Sequence, residues 1–227
     1  METEVVTKQY NELIEFFRNK DTSHESWVNN PFIIGDDIYS TDKYCMVWFN
    51  KNLYNGESNF PVYEKTKIGD VVPNLLNINK EISIEELNLA ISKCKTEDDY
   101  DLVGADIICD ECEGDGEVEW EYRSYCNYFK CPKCDGDGLS SKQRRRPNGK
   151  KKVSEDSLIQ IGKSLFSATM VNKIIQASNF LLADYVELVA QPAKDKASLF
   201  KISDVSLIAM PMLSDSTSND NVYYVIN

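Results

Sequence analysis

Four cysteines carry the clearest chemistry in this sequence. Cys109, Cys112, Cys131 and Cys134 follow the spacing C-x2-C-x18-C-x2-C, inside two copies of Cys-x-x-Cys-x-Gly-x-Gly. Each Cys-x-x-Cys pair can turn two sulfurs toward one ion, and two such pairs complete the tetrahedral shell of a structural zinc. Paired disulfides or free thiols are the competing readings. With all four coordination positions filled by protein, one Zn2+ here would be structural, with no place for substrate. Gly114, Gly116, Gly136 and Gly138 stand where the backbone must curl back for its N–H groups to reach the sulfurs, which positive φ angles allow at no cost to glycine. Cys126 precedes Cys131 by a C-x4-C step that breaks the paired pattern, and is expected to be dispensable for the metal.

Little else in the chain suggests catalysis. There is one histidine, His24, and no Gly-x-Ser-x-Gly. Gly162-Lys163-Ser164 lacks the leading glycine of a phosphate loop, because Ser157 stands in its place, and no helix is expected to start at Lys163. The expectation is a protein that is not an enzyme. A second cluster has binding chemistry: Lys142, Arg144, Arg145, Arg146, Lys150, Lys151 and Lys152 crowd the segment after Gly138. With Pro147, Asn148 and Gly149 in its middle it reads as a mobile basic loop that engages phosphates or simply keeps the finger solvated. The net charge of −12 argues against nucleic acid over the whole surface, so any such contact would be local.

Stepping outward, the elements that would position these groups are legible in the periodicity. At 227 residues, 42% hydrophobic, the chain can bury one good core or two small ones. Val6, Tyr10, Leu13, Ile14 and Phe17 mark one face of a helix over 4–18. After a linker from Ser23 to Pro31, Phe32–Ile34 and Ile38–Thr41 flank the turn Gly35-Asp36-Asp37 as a hairpin, and Cys45–Phe49 is a third strand. Residues 50–77 read as a long irregular connection. Ser83 and Glu86 form a capping box for a helix ending near Lys95, with Ile84, Leu87, Ile91 and Cys94 inward. Val118, Trp120 and Tyr122 alternate with glutamates as a strand in the finger, and Tyr125, Tyr128 and Phe129 follow. These aromatics are either a binding face or apolar filler, and the smallness of the module favours filler. Strands are then expected over 158–161 and 165–166, a helix over 168–180, strands over 185–190, 199–202 and 205–210, and an edge strand in the tail Val222–Ile226.

The repeats CDECEGDG and CPKCDGDG resemble the cysteine-rich module of DnaJ-type chaperones, in which four repeats bind two zincs and the module has been linked to holding client chains. Two repeats imply one site here. The resemblance stops at the module, since His24 is followed by Glu25 and Ser26 rather than the Pro-Asp of a J-domain.

Two further pieces are similar to bacterial sliding clamps, the β subunits that tether DNA polymerase. Val205-Ser206-Leu207-Ile208-Ala209-Met210-Pro211-Met212-Leu213 resembles the strand on which those clamps end, and Ile38 to Met46 resembles the clamp strand-turn carrying Ala-Thr-Asp-Gly-His-Arg-Leu. Thr41 and Asp42 match, whereas Lys43, Tyr44 and Cys45 replace Gly-His-Arg. In that family the two pieces lie side by side and line a hydrophobic pocket for short peptides, which implies a groove lined by Thr41, Met46, Ile208, Met210 and Met212.

The expectation is therefore an α+β protein, with a sliding-clamp-like helix-and-antiparallel-sheet body over 1–96 and 156–227 and an inserted β-hairpin zinc finger with its basic loop over 97–155. Its function would be non-enzymatic: a clamp-like binder of a peptide, in or against DNA replication. The alternatives are a protein-binding adaptor using the DnaJ-like module, and nucleic-acid binding through the finger and basic loop. No apolar run long enough for a membrane span occurs, and seven cysteines with four in zinc spacing fit a reducing cytoplasm.

Overall fold

The computed structural model describes residues 2–18, 29–54, 56, 59–63, 77–213 and 222–226. They form two compact units, one of residues 1–95 with 153–227 and the other of residues 96–152. Most of the expected linker before Pro31, much of the connection before Asn77 and the polar spacer after Leu213 lie outside the described residues.

The first unit is α+β. Its main sheet has seven antiparallel strands in the order β1-β2-β3-β15-β14-β13-β4. These are β1 (Phe32–Ile34), β2 (Asp37–Thr41), β3 (Cys45–Asn50), β4 (Asn77–Ser83), β13 (Tyr185–Ala190), β14 (Ser198–Ile202) and β15 (Val205–Ala209). A smaller sheet joins β11 (Leu158–Ile161) to β12 (Ser164–Ser167) and, in parallel, to β16 (Val222–Ile226). Three helices are described: α1 (Glu2–Phe16), α2 (Ile84–Lys93) and α3 (Ala168–Phe180).

Period-two alternation divides the main sheet between two apolar layers. Ile38, Cys45, Val47, Phe49, Phe200 and Leu207 point into a large core with Leu13 of α1, Phe17 just after it, Leu87 of α2 and Val171 and Ile174 of α3. Phe32, Met46, Leu199 and Ile208 share a second, smaller cluster with Tyr39, Trp48 and Tyr63. Both helix starts after the first use a serine cap: the Ser83 hydroxyl accepts from the Glu86 amide and the Ser167 hydroxyl from the Met170 amide, each at 3.1 Å. Strand β4 was not expected. Its sequence NINKEIS alternates poorly, and its place is set by pairing with β13. The Gly162 turn joins β11 to β12 as a tight hairpin, and the Lys163 amide donates to Gln191 Oε1.

One turn ties the sheet to a helix. Between β2 and β3, Asp42 Oδ1 accepts from the amides of Tyr44 and Cys45 at 3.0 and 2.8 Å, while its other oxygen pairs with the Lys173 ammonium of α3. Both side chains of that pair are largely shielded from water. Truncating Asp42 would leave two amides and a partly buried ammonium unsatisfied. Asp42→Ala should therefore destabilise the first unit by about 1–3 kcal/mol, below the cost of breaking a fully buried pair. Urea unfolding compared with Asp42→Asn, which keeps the amide contacts, checks this.

Candidate metal centre and binding surfaces

The second unit contains β5 (Thr96–Val103), β6 (Ile107–Ile108), β7 (Glu117–Tyr122), β8 (Tyr125–Lys130), β9 (Leu139–Ser141) and most of β10 (Arg144–Val153), paired as β5–β10, β6–β9 and β7–β8. Its interior is made of sulfur. Cys109, Cys112, Cys131 and Cys134 are buried, with only Val118 packed on them as a partly buried apolar neighbour. The four sulfurs lie within 4.8 Å of one another. Cys109 Sγ stands 3.9 Å from Cys131 Sγ, and Cys112 Sγ stands 3.7 Å from Cys134 Sγ. A disulfide would need about 2.0 Å. A tetrahedron of thiolates around zinc at about 2.3 Å has edges of about 3.8 Å, and the observed separations fit that shape. The four cysteines could therefore hold one metal ion.

The repeat in the sequence becomes a two-fold repeat in space. The Gly116 amide donates to Cys112 Sγ and the Gly138 amide to Cys134 Sγ, both at 3.3 Å. Across the pair, the Cys109 amide donates to the Gly138 carbonyl at 2.9 Å and the Cys131 amide to the Gly116 carbonyl at 2.8 Å. The last glycine of each knuckle therefore anchors the first cysteine of the other. Each also presses on its counterpart's backbone: a Cβ on Gly116 would lie 2.5 Å from the Gly136 carbonyl oxygen, and one on Gly138 only 2.3 Å from that of Gly114. Burial pushes the Cys134 thiol up, but the Gly138 and Gly136 amides and the neighbouring thiols outweigh it and bring it down to about 7. These donors favour a thiolate at Cys134, the form a metal binds, whereas burial pushes the Cys131 thiol up to about 11.

Cys126 lies outside this centre. It is exposed on β8 and donates to Glu119 Oε1 at 2.5 Å. That hydrogen bond to the carboxylate pushes its thiol up. Cys94 is core, donating to the Ala90 carbonyl, and burial pushes the Cys45 thiol far up.

The aromatics of the finger are not filler. In the β7–β8 hairpin Val118 faces Phe129, Trp120 faces Asn127 and Tyr122 faces Tyr125. Trp120, Tyr122, Tyr125, Tyr128 and Phe129 are 53–73% exposed. The sulfur cluster occupies the place that apolar filler would take.

The basic segment is not a mobile loop either. Residues 144–153 form β10, paired with the acidic strand β5. Lys151 reaches Asp98 at 2.5 Å, Lys152 reaches Glu97 at 3.3 Å, and Asn148 donates to Asp99 and Asp101. Lys142 pairs with Asp137 at 2.8 Å. In a two-stranded ribbon both strands are edges, so Pro147 and Gly149 do not exclude a strand. Arg144, Arg145 and Arg146 are exposed, and Lys150 is exposed beside them.

In the first unit, β2, β3 and β15 place Thr41 opposite Met46 and Met46 opposite Ile208. The Met210 amide donates to the Tyr44 carbonyl at 3.0 Å, so the segment after β15 continues beside the Asp42 turn. Met46 and Ile208 are buried, and Thr41 donates its hydroxyl to the Cys45 carbonyl. The exposed apolar surface there comes from Met210 and Met212, at 42% and 49%, and from Tyr44 and Leu213, which the sequence reasoning left out. Tyr44 stood out only as a departure from the clamp pattern.

No protein-family model and no curated protein matches the chain. Among solved structures it is similar to bacterial sliding clamps. The Bacillus subtilis DNA polymerase clamp aligns with 93% of this chain at 8% identity and a TM-score of 0.48, over 63% of its own length. A Helicobacter pylori β clamp bound to a DNA ligase peptide aligns with 90% at 11% identity and a TM-score of 0.45, over 62% of its length. The Thermotoga maritima β subunit aligns with 93% at 10% identity and a TM-score of 0.45, over 63% of its length. The chain thus spans less than two thirds of these clamps. Among the described residues no helix is long and apolar enough to cross a membrane.

Metal analysis should give one ion per chain, lost in Cys134→Ser and kept in Cys126→Ser. Gly138→Ala should weaken retention against a chelator by about tenfold or more, because roughly 1–3 kcal/mol of strain falls on the knuckle. In the loaded protein one thiol, Cys126, should react with a maleimide, and all seven in denaturant with chelator. Labelling of a second thiol in the loaded protein, or metal loss in Cys126→Ser, would contradict the assignment.

Proposed function

We propose that this chain is a non-enzymatic protein-binding factor acting in or against DNA replication, which takes an extended peptide at the end of β3 and β15. The observation that carries this is the exposed patch of Tyr44, Met210, Met212 and Leu213, fixed to the sheet by the Met210–Tyr44 backbone hydrogen bond. Methionines offer an adaptable apolar surface, and an adjacent buried floor of Met46 and Ile208 gives it a rigid base. The replication context rests on the residue-level resemblance of Thr41-Asp42 and of Met210-Pro211-Met212 to sliding-clamp segments. In this reading the finger is a zinc-stapled appendage: Cys109, Cys112, Cys131 and Cys134 would hold Zn2+, which supplies folding energy and no reaction step.

The test is binding of a short extended peptide with leucine and phenylalanine anchors, followed by fluorescence anisotropy. Met210→Ala should cost about 1–2 kcal/mol of binding, with little change in stability because the side chain is half exposed. Affinity should hold as salt rises, since apolar contacts are not screened. Equal affinity of the variant would overturn the reading.

A second reading concerns nucleic acid at β10. It is favoured by the run Arg144, Arg145 and Arg146, which is exposed and makes no ion pair among the described residues, whereas Lys151 and Lys152 are already neutralised by β5. Replacing the three arginines with alanine should weaken binding to any DNA sequence and lower the salt slope by about one per lost phosphate contact. An unchanged slope would leave β10 as a solvated strand.

A further inference from the structure

The β7–β8 hairpin presents two chemistries on opposite faces of one ribbon. The register puts Trp120, Tyr122, Tyr125 and Phe129 on one face, and Glu117, Glu119 and Glu121 on the other. Trp120 meets Phe129 edge-on at 6.4 Å, so these two rings of the face pack on each other. It is also unpartnered, since its rings are more than half exposed and only Val118 turns inward to the sulfurs.

Charge decides what such a face can take. From Cys109 to Gly138 there are nine carboxylates and three cations. Two of those cations are committed, Lys130 to Asp135 and Lys133 to Asp110. Glu117, Glu119 and Glu121 make no ion pair among the described residues. The ribbon is a single strand layer thick, so these carboxylates act on a charge over the aromatic face from about one Debye length away. Phosphate would be repelled, and a guanidinium or ammonium attracted. The hairpin already shows this chemistry within itself: the Arg123 guanidinium lies over the Tyr122 ring at 5.3 Å from its centroid.

We infer that the aromatic face of the β7–β8 hairpin is a docking site for a cationic, arginine-bearing extended peptide of a protein partner. Guanidinium groups would stack over Trp120 and Tyr125 as Arg123 does over Tyr122, with the field of the glutamates drawing the segment in. This site is separate from the Met210 patch and does not depend on it.

The experiment uses the full chain loaded with zinc and a labelled peptide alternating arginine and serine, read by anisotropy. The controls are the same peptide with glutamate for arginine, an all-serine peptide, and a single-stranded oligothymidine. The arginine peptide should bind and the two control peptides should not, and any oligothymidine bound through β10 should be unaffected by changes to the aromatic face. Affinity should fall about tenfold in Trp120→Ala/Tyr125→Ala, whose side chains are exposed and whose metal content should stay at one ion. Glu117→Gln/Glu119→Gln/Glu121→Gln should weaken binding at low salt and flatten its salt dependence. Equal affinity of the aromatic variant, equal binding of the all-serine peptide, or binding of oligothymidine displaced by Trp120→Ala/Tyr125→Ala would each overturn the inference.

Discussion

Four buried cysteine sulfurs lie within 4.8 Å of one another and could hold one cation, without which they would repel one another as thiolates. The finger depends on this constraint because it has almost nothing else inside. Its buried apolar content is the four cysteines with Val118 against them, where an ordinary domain would place leucines and phenylalanines. A metal held there would supply what that burial lacks, as structural zinc does in small fingers at about 10–16 kcal/mol. The substitution leaves the large aromatics free for the surface. A finger with a hydrophobic core would have to draw Trp120 and Phe129 inward, and the hairpin would then have no face to offer.

The body solves a different problem. Its seven-stranded sheet is apolar on both sides, with helices over one face and a smaller cluster around Phe32, Met46 and Ile208 on the other. Where β3 meets β15 the two halves of the body's chain meet, and the Asp42 turn holds that corner through two backbone amides and the ammonium of Lys173. The exposed methionines sit at this corner because β15 runs past the end of its pairing and leans on Tyr44.

Local signals were legible in the sequence, and signals that depend on distant partners were not. The paired Cys-x-x-Cys spacing and its glycines describe contacts made within one knuckle or between two copies of it. Helix α3 is likewise written within a short window by its apolar face, and its observed span matches the expected one. Strand β4 escaped notice because its pattern is weak and β13 supplies its order. Strand β10 escaped because its proline and glycine suggest a loop, while the acidic strand that pairs with it lies some fifty residues earlier. The finger aromatics were assigned inward on the rule that small modules need filler, and sulfur took that role.

The chain leaves and rejoins the body at adjacent points, where the Ser154 amide donates to the Lys95 carbonyl at 2.8 Å. For the body, the whole insert therefore acts as one closed loop, and the entropy of closing it grows only slowly with its length. The order of synthesis makes this matter. The finger's ligands are complete once Cys134 has emerged, while the main sheet still awaits β13, β14 and β15. The pairing of β5 with β10 carries the chain from Lys95 back to Ser154, so it needs no part of the long-range β3–β15 pairing. A closed insert of this kind shortens the effective separation between the two stretches of the body, and with it the search by which they find their register.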